Sequence, residues 1–236
     1  MKITRRKVSK GLAAVTSTAL LGPSLAVSMA SSSTGKKVAK RKNILIIVTD
    51  QERARLTLPE NLNLPARRKF DDTAVAFEQY HIASLSCAPS RSVIYTGQHV
   101  QKTRLFNNPG FGDGAVDLDP LKTPTLGQRF KDLGYKTAYK GKWHLSSVNH
   151  SQLSDNRQAL KPFGFDEWQD GKDTGGLVYQ GANDDKDILA DAQGFMNRQR
   201  QQDDADPWFL AINFHNPHDV MGLDANGRQA ATRLRP

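Results

Sequence analysis

The chain has 236 residues, a formal net charge of +9 and a single cysteine. This length is enough for one domain with a substantial hydrophobic core. Residues 1–30 hold five of the 33 basic residues and none of the 24 acidic ones, and five more basic residues lie within 36–42. Because the remaining sequence is close to neutral, the composition argues against nucleic acid as a partner.

The N-terminus has the features of an export signal. Residues 4–10, Thr-Arg-Arg-Lys-Val-Ser-Lys, resemble the twin-arginine pattern, and Ser28-Met29-Ala30 offers a small-x-small cleavage site. A membrane anchor and a disordered basic tail are the alternatives. We expect no stable membrane insertion, since Gly22-Pro23 and several serines interrupt a short apolar stretch. The predicted organisation is a twin-arginine-type signal peptide over 1–30, a basic flexible linker over 31–42 and a folded domain over 43–236, located in the periplasm or outside the cell.

Beyond the linker, hydrophobic segments of strand and helix character alternate. Strands are predicted over 43–49, 77–83, 136–140 and 208–214, and helices over 65–77, from Cys87, from Thr123-Pro124 to Gly134, and over 187–201. The helix over 187–201 is expected to bury Leu189, Ala192, Phe195 and Met196. The helix that ends at Gly134 is expected to bury Leu126, Phe130 and Leu133. This alternation predicts an α/β fold with a mainly parallel central sheet flanked by helices.

Cys87 is unusual because an unpaired cysteine in an exported chain is exposed to oxidation. Pro89 fits the first turn of a helix, which places Cys87 at a helix N-terminus where free N–H groups favour an anion. Arg91, one turn later, adds a positive charge. The alternative is a buried structural cysteine beside an ordinary helix start.

Polar residues follow three of the predicted strands, and the carboxyl ends of parallel strands are where ligands bind. These residues are Asp50 and Gln51, Lys142 and His144, and His215 and His218. Taken separately, they are equally compatible with a helix cap, a solvated face and loop histidines. Together with Cys87 and Arg91, they predict a cationic pocket beside a carboxylate, suited to a divalent metal and a tetrahedral sulfate or phosphate.

Two stretches resemble the signatures of the sulfatase family of the alkaline-phosphatase-like superfamily. Residues 87–97, Cys-Ala-Pro-Ser-Arg-Ser-Val-Ile-Tyr-Thr-Gly, match the first signature, and residues 134–144, Gly-Tyr-Lys-Thr-Ala-Tyr-Lys-Gly-Lys-Trp-His, match the second. Lys140 departs from the small or aliphatic residue usual at its position. The resemblance extends from about Asn43 to Asp219 and implies an alkaline-phosphatase-like fold.

The resemblance also implies a sulfuric ester hydrolase with a formylglycine nucleophile. A maturation enzyme would oxidise Cys87 to formylglycine, which would also be a metal ligand, and Arg91 would stabilise its hydrate. Lys142 and His144 would contact the sulfate or the hydrate, and His218 would contact the sulfate and protonate the leaving oxygen, with His215 the weaker candidate for that proton. Asp50, Gln51 and residue 87 would bind one divalent cation, Ca²⁺. The expected substrate is a small-molecule or saccharide sulfate ester.

The sequence departs from the family pattern in two respects. Gln51 stands where a second aspartate is usual, as in choline-sulfatase-like and phosphonate-hydrolase-like members. A further pair of metal ligands and a lysine, which lie beyond the histidine matched by His218, have no counterpart before Pro236. Residues 43–236 are therefore predicted to be the N-terminal part of a sulfatase domain, truncated at the C-terminus, with weak Ca²⁺ binding and little turnover. The alternatives are a phosphonate or phosphodiester monoesterase and a non-catalytic remnant.

Overall fold

A computed structural model describes residues 41–53, 59, 61–110, 115–147, 157–168, 180–202 and 206–219. The predicted signal peptide and all but the last two residues of the predicted linker lie outside these ranges. Among the helices described, none combines the length and the apolar character needed to cross a membrane.

The described part of the chain is built on a four-stranded parallel sheet, ordered β1-β4-β2-β3. Its strands are β1 (Ile44–Asp50), β2 (Lys136–Gly141), β3 (Glu167–Trp168) and β4 (Trp208–Pro217). Residues along β4 alternate between the two faces of the sheet, as expected for a strand buried on both sides. The predicted α/β class with a mainly parallel sheet is confirmed.

Two hydrophobic cores lie on opposite faces of the sheet. One is aromatic and combines Tyr139 and Phe209 with Tyr95 and Trp143. The other packs Leu210 and Ile212 against buried residues of the longest helix. The helices are α1 (Pro65–Asp71), α2 (Cys87–Thr96), α3 (Val100–Thr103), α4 (Leu126–Asp132) and α5 (Gln180–Arg200), with a short 3-10 helix at Lys161–Phe163.

Several predicted boundaries are wrong. Helix α1 ends at Asp71 and buries no residue, so no packed face extends it to residue 77. The strand predicted over 77–83 does not form, and Phe77 and Tyr80 are 79% and 72% exposed. Alternating apolar residues form a strand only where a partner strand pairs with them.

Helices α4 and α5 also differ from the prediction. The cap of α4 is Thr125, whose side chain and that of Gln128 form a capping box, rather than Thr123-Pro124. Helix α5 begins seven residues earlier than predicted, at Gln180. Leu133 and Leu189, expected on buried faces, are 61% and 44% exposed.

Lys140, the departure from the family signature, has a structural explanation. Its side chain is fully buried, and its Nζ lies 2.6 Å from Glu167 Oε1, which also pairs with Arg198 at 2.6 Å. The ion pair therefore compensates the buried ammonium and ties β2 to β3 and α5.

Candidate active site

The carboxyl ends of β1, β2 and β4 lie side by side, because β4 pairs with both other strands. Asp50 is in register with Pro217, and Gly141 with Asn213. A Cβ atom on Gly141 would lie 2.0 Å from the Asn213 carbonyl oxygen, so only glycine fits this close approach. The chain leaves β2 there, and the Lys142 amide donates to the same carbonyl oxygen at 3.1 Å.

Cys87 is the first residue of α2, as predicted, and Ser86 precedes it in an extended conformation. The amide of Ala88 donates to Asn108 Oδ1 at 3.0 Å, which anchors the helix start. Gly97 ends the helix in a left-handed conformation with φ of 65°. The sole cysteine is therefore held at a defined helix N-terminus.

Four of the predicted site residues meet in what we call the Cys87 cluster: Asp50, Cys87, Lys142 and His218. Lys142 Nζ lies 2.7 Å from Asp50 Oδ2 and 4.0 Å from Cys87 Sγ. The Cys87 thiol donates to Asp50 Oδ1 at 3.7 Å. One ligand atom each from Asp50, Cys87 and His218 lies within 4.8 Å of the others.

Electrostatics in the Cys87 cluster favour an ionised carboxylate and a protonated thiol. Burial opposes ionisation of Asp50, but Lys142, Arg91 and His218 outweigh it and lower the pKa of this carboxyl. Burial raises the pKa of the Cys87 thiol; Lys142 and Arg91 oppose this shift, and Asp50 adds to it. Unmodified Cys87 is therefore a poor nucleophile at neutral pH.

Arg91 is buried in what we call the Arg91 network, formed with Tyr95, Tyr139 and Asn213. Its Nη2 donates to Tyr139 Oη at 2.5 Å, to Asn213 Oδ1 at 2.8 Å and to the Lys142 carbonyl oxygen, and its Nε donates to the Trp143 carbonyl oxygen at 2.9 Å. Tyr95 Oη donates to the same Asn213 oxygen at 2.6 Å. The network thus locks α2 to the ends of β2 and β4, while the role predicted for Arg91 on the hydrate stays a prediction.

The three histidines are electrostatically similar. Burial lowers the pKa of His144 to about 4, with Lys142, Arg91 and His218 acting in the same direction and Asp50 against it. Burial, followed by Lys142, also lowers the pKa of His215 and of His218, although nearby aspartates oppose the shift. All three rings are therefore neutral at neutral pH in this structure.

The remaining predicted residues are Gln51, His144 and His215, and Lys142, Asp50 and His218 all influence the pKa of His144. Gln51 follows β1 with φ of 59°, and its side chain is exposed. His144 also has a positive φ, 54°. His215 is 2% exposed, and its Nε2 lies 4.0 Å from Asp184 Oδ2. The predicted catalytic and metal-binding roles of all these residues remain predictions.

Sequence reasoning missed Asp185 and Asn213. Asp185 accepts the backbone amides of His215 and Asn216, and Asn213 joins Arg91 to Tyr95. Asp185 lies two residues before the predicted helix start at residue 187, so the prediction left it outside the helix. Helix α5 in fact starts at Gln180 and includes it. The polar Asn213 within the otherwise apolar run 208–214 was the available signal for the second residue.

The geometry agrees with what comparisons with known proteins find. A family model described as Sulfatase matches residues 42–232. Choline-sulfatase of Rhizobium meliloti (strain 1021) is 27% identical over 208 residues, which are 76% of this chain and 39% of that protein. N-acetylglucosamine-6-O-sulfatase of Bacteroides thetaiotaomicron is 28% identical over 208 residues, 84% of this chain and 35% of that protein.

Solved structures support the same fold. A protein solved in complex with its substrate D-glucosamine-2-N,6-O-disulfate superposes with a TM-score of 0.54 at 22% identity, over 76% of this chain and 35% of that one. The chain thus spans well under half the length of these relatives. With the family model matching most of its residues, the chain belongs to the sulfatase family.

Proposed function

We propose that the chain hydrolyses sulfate esters after Cys87 has been oxidised to formylglycine by a maturation enzyme. The observation that carries this proposal is the position of Cys87 at the start of α2, against the Asp50 carboxylate and the Lys142 ammonium. A hydrated formylglycine at this position supplies a nucleophilic oxygen and releases sulfate when the aldehyde re-forms. An unmodified thiol with a raised pKa has neither property.

Lys142 and the start of α2 bind the sulfate group in this proposal. Lys142 is 2% exposed, and its ammonium already pairs with the Asp50 carboxylate. A sulfate oxygen would therefore displace this carboxylate or share the ammonium with it. The dipole of helix α2 adds partial positive charge at residue 87. Both features stabilise negative charge that develops on sulfate oxygens.

His218 donates the proton to the leaving oxygen. Its ring is neutral in the anion-free structure, because burial and Lys142 lower its pKa. A bound sulfate ester places negative charge beside the ring, which raises the pKa and populates the imidazolium form when substrate is present. His144 contributes a hydrogen bond to the sulfate from a ring that stays neutral.

The donor atoms fit a divalent cation once Cys87 has been modified. Ligand atoms of Asp50 and residue 87 lie within 4.8 Å of one another, a spacing that a cation with ligand distances of about 2.3–2.6 Å can bridge. Asp50, the Gln51 amide oxygen and a formylglycine oxygen would form a hard, oxygen-only set that suits Ca²⁺. A bound Ca²⁺ would polarise sulfate and hydrate oxygens as a Lewis acid.

The substrate class that we propose is a sulfated saccharide. The N-acetylglucosamine-6-O-sulfatase relative carries a sugar substrate in its name, and a structural neighbour was solved with a disulfated glucosamine. Because the chain spans about a third of these relatives, the proposal concerns the sulfate-binding chemistry rather than recognition of a particular sugar.

The test is sulfate release by the purified, matured chain with Ca²⁺, from glucosamine 6-sulfate and from an aryl sulfate. We expect slow release that Cys87→Ala and Lys142→Ala abolish and that Lys102→Ala, a change at an exposed lysine, leaves intact. Release that persists in Cys87→Ala contradicts the proposal. Faster turnover of a phosphonate monoester identifies a phosphonate hydrolase instead, and no release from fully modified protein identifies a non-catalytic remnant.

We also propose that the chain is exported by the twin-arginine route to the periplasm or beyond, on the basis of residues 4–10. Replacing Arg5 and Arg6 with lysine is expected to retain the precursor in the cytoplasm. An unchanged periplasmic yield would point to the general secretory route.

A further inference from the structure

The segment 215–219, which carries His218, comprises the last three residues of β4 and the two residues that follow, and it lies against the first turns of α5. The Asp185 carboxylate on α5 accepts two consecutive backbone amides of this segment. The His215 amide donates to Oδ1 at 2.7 Å and the Asn216 amide to Oδ2 at 3.0 Å. Both carboxylate oxygens therefore accept backbone amides that lie two and three residues before His218.

A second carboxylate, that of Asp219, belongs to the segment and accepts a hydrogen bond from helix α5. The Gly181 amide in the first turn of α5 donates to Asp219 Oδ2 at 2.6 Å. A Cβ atom on Gly181 would lie 2.8 Å from the Asn216 side chain, which shows how closely the helix start and the segment approach. The segment is thus held by hydrogen bonds on both sides of His218.

The position of this segment also determines where His218 lies relative to Asp50. Pro217 is in register with Asp50 across the β1–β4 pair, after a register shift that follows Val48. A displacement of the backbone at residues 215–217 therefore changes the distance between the His218 ring and the ligand atoms of Asp50 and Cys87. Hydrogen bonds from amides to a carboxylate are stronger than those between neutral groups, so Asp185 resists this displacement.

We infer that Asp185 is a positioning residue, which holds residues 215 and 216 so that His218 stays within reach of Asp50 and Cys87. It acts on the backbone before His218 and does not touch the reacting atoms. The catalytic consequence rests on the function proposed above, whereas the structural relation between Asp185 and His218 does not.

The variant that tests this inference is Asp185→Asn, in which one of the two acceptor oxygens becomes an amide donor of the same shape. Asp187→Asn is the matched control, because it removes the same charge from an exposed position two residues along α5. Two readouts on the full chain are needed: amide hydrogen exchange along β4, and NMR of ¹³C-labelled histidine rings. His218→Gln assigns the His218 signal among the six histidines, and exposed His81 and His99 serve as internal references.

We expect amide exchange of His215 and Asn216 to accelerate about tenfold or more in Asp185→Asn, which corresponds to the loss of a charge-assisted hydrogen bond. The His218 ring signals should shift while those of His81 and His99 do not, and Asp187→Asn should change neither readout. Unchanged exchange, or an unchanged His218 signal, overturns the inference. Equal acceleration along the whole of Trp208–Pro217 also overturns it, because Asp185 would then support the strand in general.

Neither readout requires turnover, so the two proposals can fail separately. If matured wild-type chain releases no sulfate while Asp185→Asn shifts the His218 signal, the proposed function is wrong and the positioning role stands. If the wild type is active, Asp185→Asn should lower kcat several-fold with little change in KM, since it moves a proton donor and leaves Lys142 in place.

Discussion

The Arg91 network and the Cys87 cluster each contain a buried cation, but the two cations are satisfied differently. Arg91 donates hydrogen bonds to neutral acceptors, namely Tyr139, Asn213 and two backbone carbonyl oxygens. Lys142 pairs with the Asp50 carboxylate. Neutral acceptors in fixed directions hold the cation in one orientation, whereas the cation of an ion pair can exchange one anionic partner for another. The comparison favours a structural role for the network and agrees with the anion and metal binding that we propose for the cluster.

The largest effect should come from breaking the Arg91 network. Arg91→Ala removes four buried, charge-assisted hydrogen bonds, and we expect the free energy of unfolding to fall by about 4–5 kcal/mol. Arg91→Lys should recover little of this loss, because an ammonium cannot reproduce the planar arrangement of guanidinium donors. Urea denaturation measures both, with exposed Lys102→Ala as the control. A loss in Arg91→Ala no larger than in the control would refute the structural role.

In the Cys87 cluster, we expect a smaller loss of stability, which a second substitution should largely restore. Asp50→Leu leaves the Lys142 ammonium buried without its carboxylate, which should cost about 3 kcal/mol of stability. Adding Lys142→Met should recover most of that loss, because both charges are then absent. A double-mutant cycle by denaturant unfolding measures the coupling. If the double variant is no more stable than Asp50→Leu, the pair does not behave as an exchangeable ion pair.

The smallest effect concerns the pH dependence of stability. The pKa of His144 is lowered from 6.5 to about 4, so the unfolded chain binds a proton more readily between these values. Stability should therefore fall as the pH drops from about 6.5 to about 4, and His144 should account for at most about 3 kcal/mol of this fall. His215 and His218 act in the same direction. Unfolding free energies of wild type and His144→Gln across this range should differ in slope; parallel curves would contradict the buried, neutral ring.

The secondary structure could be predicted from the sequence where it depends on a local pattern of residues. Strands β1 and β4 were predicted because each is a hydrophobic run, β2 was predicted as a short strand that follows Gly134, and the helix start at Cys87 followed from Pro89. The strand predicted over 77–83 had a suitable pattern but found no partner, which a local pattern cannot reveal.

The contacts that organise the site were less accessible to sequence reasoning. Asp185 lies 30 residues from His215, and Arg91 lies 122 residues from Asn213. The order of the strands brings these residues together, and no spacing in the sequence encodes that order. Strand endings did predict that Asp50, Lys142 and His218 would converge, since parallel strands share one carboxyl edge.

In the proposed function, residue 87 is the reactive position. The most direct measurement is the mass of the peptide that contains residue 87, taken from chain produced with a formylglycine-generating maturation enzyme and assayed for sulfate release in the same preparation. We expect formylglycine at position 87, sulfate release that scales with the modified fraction, and no release from Cys87→Ala. Fully active protein that retains an unmodified cysteine at position 87 would contradict it.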